Sequence, residues 1–75
     1  MDYDNWIPVS EEQFPTTDEY ILISFANFTI PMVGRFEWDQ DGNGAFYVGD
    51  DVETCASQDL IVNAWMPLPH PWRED

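Results

Sequence analysis

The sequence predicts a mainly β chain: one domain over residues 1–75, built on an antiparallel sheet of about four strands, with a central hairpin at residues 32–48 and little helix. A small α+β arrangement is the nearest alternative. Three observations carry this. Residues 20–25 and 60–66 are short runs rich in β-branched and aromatic side chains. Residues 32–38 alternate and are followed by Asp39-Gln40-Asp41-Gly42-Asn43-Gly44, in which Asp-Gly and Asn-Gly are hairpin signals. Pro15 cuts short the one capping-box signal, and Pro67-Leu68-Pro69-His70-Pro71 rules out helix at the end of the chain.

Taken in order, Asn5-Trp6-Ile7-Pro8-Val9 is apolar and extended, because Pro8 biases Ile7 toward β or polyproline geometry. Ser10-Glu11-Glu12-Gln13 has capping-box spacing, but Pro15 follows too soon for a helix, so one helical or 3₁₀ turn closing at Phe14-Pro15 is expected. Residues 16–19 form a loop. Residues 20–25 are apolar on both faces except at Ser24, as in a central strand. Ala26-Asn27 makes a tight connection into a long strand, Phe28–Trp38, where Pro31 and Gly34 indicate an edge or a bulge. Within it Met32, Gly34, Phe36 and Trp38 share one face, and Val33, Arg35 and Glu37 the other. Residues 45–48 return, residues 49–59 form an acidic connection with a short helical turn around 52–57, and residues 60–66 form the last strand. Pro67-Leu68-Pro69-His70-Pro71 reads as an extended tail that excludes helix or inner strand. The expected core is Trp6, Ile21, Ile23, Phe36, Phe46, Ile61 and Trp65.

A chain of 75 residues buries roughly 60% of its unfolded surface and is marginal without reinforcement. Its single cysteine, Cys55, cannot pair within the chain, and His70 is the one histidine, so neither a disulfide nor a closed zinc site is expected. The reinforcement available is aromatic: Trp6, Trp38, Trp65 and Trp72 with five Phe and three Tyr. The lone thiol suits a reducing compartment. Met1-Asp2-Tyr3-Asp4 has no basic or apolar leader region, and no apolar run approaches ~18 residues, so neither a signal peptide nor a membrane span is expected and the cytoplasm is the expected location.

No catalytic constellation emerges. Carboxylates around Cys55 (Asp50, Asp51, Glu53, Asp59) disfavour a thiolate. His70 lies between prolines, and acidic pairs such as Glu11-Glu12 are too common here to signal acid–base chemistry. Neither enzymatic activity nor a cofactor is expected. One metal pattern has two readings. Asp39, Asp41, Asn43, Gly44 and Asp50 occupy positions one, three, five, six and twelve of a calcium loop. The flanks read as strands rather than helices, however, and the same residues suit a hairpin turn, which is the reading adopted; no metal site is assigned.

Charge is the dominant feature. Fifteen Asp and Glu face only Arg35 and Arg73, with no lysine, for a net charge of −13. That equals the charge of about 22 Å of duplex DNA, against an expected diameter near ~30 Å. Direct binding to nucleic acid or to an anionic membrane is excluded on this count, and a basic protein surface is the expected partner. Ordinary acidic solubility is the competing account, although ~2–8 charges suffice for that. The candidate partner-binding residues are Glu11, Glu12, Asp18 and Glu19, then Asp39 and Asp41, then Asp50, Asp51 and Glu53. Asp39, Asp41, Asp50 and Asp51 are expected to gather at the hairpin end of the sheet.

The ending Ala64-Trp65-Met66-Pro67-Leu68-Pro69, and the opening Trp6-Ile7-Pro8-Val9-Ser10 leading to Pro15 and Ile21-Leu22-Ile23, resemble a family of small uncharacterised phage and prophage proteins with a Trp-Ile-x-Val start and a closing W-M-P-L-P motif. The resemblance covers both ends and the first main strand and implies a phage origin and a compact β-rich fold, but carries no activity and no binding residues. Physically, both motifs read as structural, with Trp6 and Trp65 packing to fasten the chain ends. The functional expectation is a phage-encoded acidic binding protein in the host bacterial cytoplasm. It would inhibit a nucleic-acid-handling defence system, in the manner of an anti-CRISPR protein, as a DNA mimic. The alternative is a structural or accessory phage protein that assembles through a sheet edge or aromatic face, of which a calcium-stabilised form is one version.

Overall fold

The computed structural model describes residues 6–16 and 19–68. Five strands, β1 (Ile7–Pro8), β2 (Ile21–Phe25), β3 (Phe28–Trp38), β4 (Gly44–Val48) and β5 (Val62–Pro67), form one antiparallel sheet in the order β1-β5-β2-β3-β4. The fifth strand, beyond the four expected, is β1, whose two residues lie opposite Trp65 and Ala64. The helical content of the described residues is two three-residue 3₁₀ turns, Val9–Glu11 and Ala56–Gln58. The first begins one residue earlier than the capping-box spacing suggests. Pro8 precedes it without a side-chain cap, and Glu12, in the left-handed region at φ 59°, closes it by donating its N–H to the Val9 carbonyl (3.0 Å).

β2 is the middle strand of the five, which is why its sequence is apolar on both faces. Ile21, Ile23 and Phe25 are buried on one side, while Leu22 and Ser24 are half-buried on the other. β3 is longer than either neighbour and offset between them. β2 pairs with its first part, from Phe28 to Gly34, and β4 with Gly34 to Trp38. Gly34 is thus the one residue of β3 paired on both sides, with Ile21 and with Val48. A Cβ there would run into the Tyr47 carbonyl oxygen and Ile23 Cδ1. Beyond the Val33 carbonyl, which accepts from Gly49 N (2.9 Å), the half of β3 that extends past β4 has no strand partner on that side among the described residues, and it contains Pro31, which lacks the donor an edge-pairing strand would use.

β5 starts at Val62 and runs to Pro67, although it is an inner strand and a proline was expected to exclude that. Among the described residues β1 reaches along β5 only as far as Trp65, so no described strand pairs with Pro67 on that side, where a proline forfeits no ladder bond. Ile61 precedes the strand. Its N–H is held by Asn27 Oδ1 (2.9 Å), its carbonyl accepts from Ala26 N (2.7 Å), and Asn27 Nδ2 donates to the Asp59 carbonyl (2.7 Å). The tight β2–β3 connection therefore fixes the start of β5, and it leaves the Ile61 side chain 59% exposed.

The core occupies one face of the sheet: Ile21, Ile23, Phe25, Phe36, Phe46, Cys55 and Trp65. Phe25 and Cys55 replace two residues expected there, Ile61 and the half-buried Trp6. Residues 13–15 lie across this face. Phe14 stacks on Phe36 at 5.4 Å, Trp65 Nε1 donates to the Gln13 carbonyl (2.9 Å), and Trp38 Nε1 donates to the Pro15 carbonyl (3.0 Å). The chain ends are fastened by β1 against β5, with Ile7 rather than Trp6 opposite Trp65. The 49–61 connection covers the outer edge of β4 through a Tyr47–Thr54 bridge and a Cys55 N–H to Phe46 carbonyl bond (2.8 Å). The expected tail from Pro69 onward, with His70 and Trp72, lies outside the described residues, as does Asp18. No helix among the described residues is long and apolar enough to cross a membrane. The molecule measures 44 × 25 × 23 Å, more elongated than the ~30 Å sphere expected from its length.

Candidate functional site

All of the described carboxylates lie at the surface. Glu11 and Glu12 are in the 3₁₀ turn after β1 and its closing residue, Glu19 stands just ahead of β2, Asp39 and Asp41 lie in the β3–β4 turn, and Asp50, Asp51 and Glu53 follow β4. The expected gathering of Asp39, Asp41, Asp50 and Asp51 at one end does not occur. Turn and post-strand acids are separated by the five residues of β4, about 17 Å at the usual strand rise. The miss has a simple cause: both groups neighbour β4 in sequence, but at its opposite ends.

Asp39 is committed to the turn. Its Oδ1 accepts the N–H groups of Asp41 and Asn43, both at 2.9 Å, while its own N–H donates to the Asn43 carbonyl (2.7 Å). Gly42, at φ 84°, supplies the left-handed residue the turn needs. Positions one and twelve of the calcium pattern, Asp39 and Asp50, therefore do not converge on one point. The described residues contain no group of three His, Cys, Asp or Glu placed to hold a metal.

The acids after β4 are organised by Arg35. This residue projects from the face of β3 opposite the core, with its side chain 17% exposed. Its Nε donates to Glu37 Oε2 (2.6 Å), Nη1 to the Gly49 carbonyl (2.6 Å) and Nη2 to the Asp51 carbonyl (2.9 Å), and the guanidinium lies 4.5 Å above the Tyr47 ring. Its pairing with Glu37 raises its pKa further. The Tyr20 hydroxyl donates to Asp50 Oδ1, and Gln58 Nε2 donates to Asp51 Oδ2 (3.5 Å) and the Glu53 carbonyl (3.3 Å). The Asp50 bond and charge push the Tyr20 phenol above its ordinary pKa.

Arg35 thus turns its charge onto backbone carbonyls and one carboxylate, and the acidic segment 49–53 is held from three directions. Arg35–Glu37 is the single ion pair among the described residues. Among the described residues the remaining acids face solvent without an ion pair. Sequence reasoning named the acids but not their organisers, Arg35, Tyr20 and Gln58. The available signal was Arg35 two residues from Glu37 on one face of a strand. Cys55 is 2% exposed, and burial first, then Asp51, push its thiol pKa up, away from nucleophilic duty. Of the aromatic face around Phe36 and Trp38, the alternative assembly surface, Phe36 lies beneath Phe14 and is 4% exposed, while Trp38 remains 52% exposed. The opposite face is also open to solvent, with Tyr20 and Val33 47% and 46% exposed.

Neither a curated protein nor a solved structure matches the chain. Residues 5–72 match the profile of a family described as "Protein of unknown function (DUF551)", and with that span covering most of its length the chain belongs to this family.

Proposed function

We propose that this protein is a phage-encoded acidic binding protein that occupies a basic, nucleic-acid-holding surface of a host protein, as an inhibitor of a nucleic-acid-handling defence system of the kind anti-CRISPR proteins block. The observation that carries the reading is the uncompensated surface charge: net −13, with Arg35 turned inward onto Glu37 and loop carbonyls. The ten described carboxylates and Arg35 leave nine net charges along the 44 Å axis, about one per 4.9 Å, sparser than one DNA strand at ~3.4 Å or a duplex at ~1.7 Å. Mimicry then uses acids along the whole long axis rather than one cluster. Tyr20, Arg35 and Gln58 favour it by fixing Asp50, Asp51 and Glu53 before any partner arrives, which lowers the ordering cost of association.

The test is competition. The protein is immobilised, host lysate is passed over it, and the retained protein is challenged with duplex and single-stranded DNA. Release by DNA, with steep salt dependence, supports the reading; a retained partner that binds DNA at full affinity while still bound refutes it.

A second reading is favoured by the open sheet face. Tyr20 and Val33, with half-buried Leu22, Tyr47 and Met66, make an uncovered and partly apolar surface suited to an accessory protein that assembles with another subunit. Retention that survives high salt and DNA favours this reading.

A further inference from the structure

A second surface lies on the core side of the sheet. Between β4 and the 54–62 segment runs a groove of about 600 Å³, within the size range of pockets that take a buried side chain or a small ligand. Its lining is apolar: Phe46, Ala56, Leu60, Ile61 and Val62, with Asp59 among them. The fold builds this groove deliberately. Asn27 holds both the Asp59 carbonyl and the Ile61 N–H, so Ile61 is kept outside the core as a wall that is 59% exposed. Asp59 sits in the left-handed region at φ 63°, its N–H bonded to the Ala56 carbonyl (3.1 Å). Its carboxylate has neither a hydrogen bond nor an ion pair among the described residues. Thr54, in the same wall, directly follows Glu53, and Gly44 at the other side ends the turn that contains Asp41.

We propose that this groove receives one bulky apolar side chain from a cationic segment of the partner, flanked by Lys or Arg that pair with Asp59 and the neighbouring acids. The proposal rests on the acidic-binder reading and deepens it by naming the anchor. Charge selects the occupant: a second copy would bring another −13 to the same rim, whereas a basic segment is attracted. Apolar burial in the groove supplies what surface charge alone lacks, an affinity that persists when salt screens the field.

The test uses two amidated, fluorescein-labelled peptides of equal charge, Arg-Arg-Leu-Trp-Arg-Arg and Arg-Arg-Ser-Gly-Arg-Arg, read by fluorescence polarisation against the full chain. Amide chemical shifts map the site. The peptide with Leu-Trp should bind roughly tenfold to hundredfold tighter, the worth of one buried large apolar side chain, and should move the resonances of residues 54–62. Ala56→Trp fills the groove and should abolish this advantage. Ile61→Glu is the discriminating variant, and its exposed site protects the fold. Electrostatics alone predicts tighter binding of both peptides, because a negative charge is added. An occupied groove predicts weaker binding of the Leu-Trp peptide alone.

Equal affinity of the two peptides, or tighter binding of both by Ile61→Glu, overturns the groove proposal and leaves the acidic-binder reading standing. If neither peptide binds at low salt, both fall. Wild-type self-association that Ile61→Glu breaks would make a second copy the occupant, and groove resonances that move on Trp72→Ala would make it the chain's own tail; either result overturns the proposal.

Discussion

Arg35→Ala should be the most damaging single charge removal in this protein. The guanidinium donates to two loop carbonyls, Gly49 and Asp51, and a hydrogen bond from a charged donor is worth roughly 1.5 kcal/mol or more. Its ion pair with Glu37, whose side chain is 50% exposed, adds about 0–1 kcal/mol. Its position over Tyr47 adds about 0.5–1 kcal/mol. Because these contacts share one side chain and are not additive, a loss of about 3–4 kcal/mol is expected. A chain of 75 residues has roughly 4–11 kcal/mol in all, and at about 4–8 °C per kcal/mol the melting midpoint should fall by at least ~12 °C. Urea unfolding followed by tryptophan fluorescence measures the loss directly. Two controls separate the contributions. Glu37→Gln removes only the ion pair and should cost no more than about 1 kcal/mol. Arg35→Lys keeps the charge but cannot span both carbonyls, and should recover less than half the loss. If Arg35→Ala stays within about 1 kcal/mol of wild type, or Glu37→Gln costs as much, the loop is held by something other than the guanidinium fork.

Three further outcomes follow from the same structure. Stability should rise with sodium chloride up to ~0.5 M, because screening relieves repulsion among acids that, among the described residues, share one ion pair; a flat or falling melting midpoint would contradict this. Gly34→Ala should cost about 1–3 kcal/mol or more in urea unfolding, since the added Cβ meets the backbone of Tyr47 and the core methyl of Ile23; a neutral effect would mean that β3 and β4 part easily. The raised pKa values of Cys55 and Tyr20 leave stability intact at neutral pH, where thiol and phenol are uncharged in both states. As pH climbs through their ordinary ranges the unfolded chain ionises first, so stability should decline, and Cys55→Ala with Tyr20→Phe should flatten the alkaline limb measured by urea titration at stepped pH.

Much of the fold could be read from local chemistry. β2 announced itself by a doubly apolar run, the β3–β4 hairpin by alternation on either side of an Asp-Gly and Asn-Gly turn, and the edge portion of β3 by Pro31. What escaped depended on long-range placement. Ile61 looks like a core residue in the run Leu60-Ile61-Val62, but the Asn27 side chain, 34 residues away, sets where β5 begins and so which way Ile61 faces. Trp6 matched Trp65 by composition, but the antiparallel register set Ile7 opposite Trp65. Cys55 was read for its chemistry, whereas its backbone bond to Phe46 draws it into the core. The acidic residues were legible one by one. Their separation to opposite ends of β4 was not, because proximity in sequence across a strand means distance in space.

The central claim, that this surface competes with nucleic acid for a basic partner, is most directly tested by neutralising the acids that Arg35, Tyr20 and Gln58 hold in place. Asp50→Asn, Asp51→Asn and Glu53→Gln together remove three charges, while an Asn at position 50 keeps an acceptor for the Tyr20 hydroxyl. Binding of this variant and of wild type to the partner retained from host lysate, measured as association and dissociation rates with and without DNA, gives the answer. The account predicts an unchanged fold, slower association of the variant, and DNA displacing both proteins. Wild-type association rates in the variant, or DNA that binds the occupied partner without displacing the protein, would contradict it.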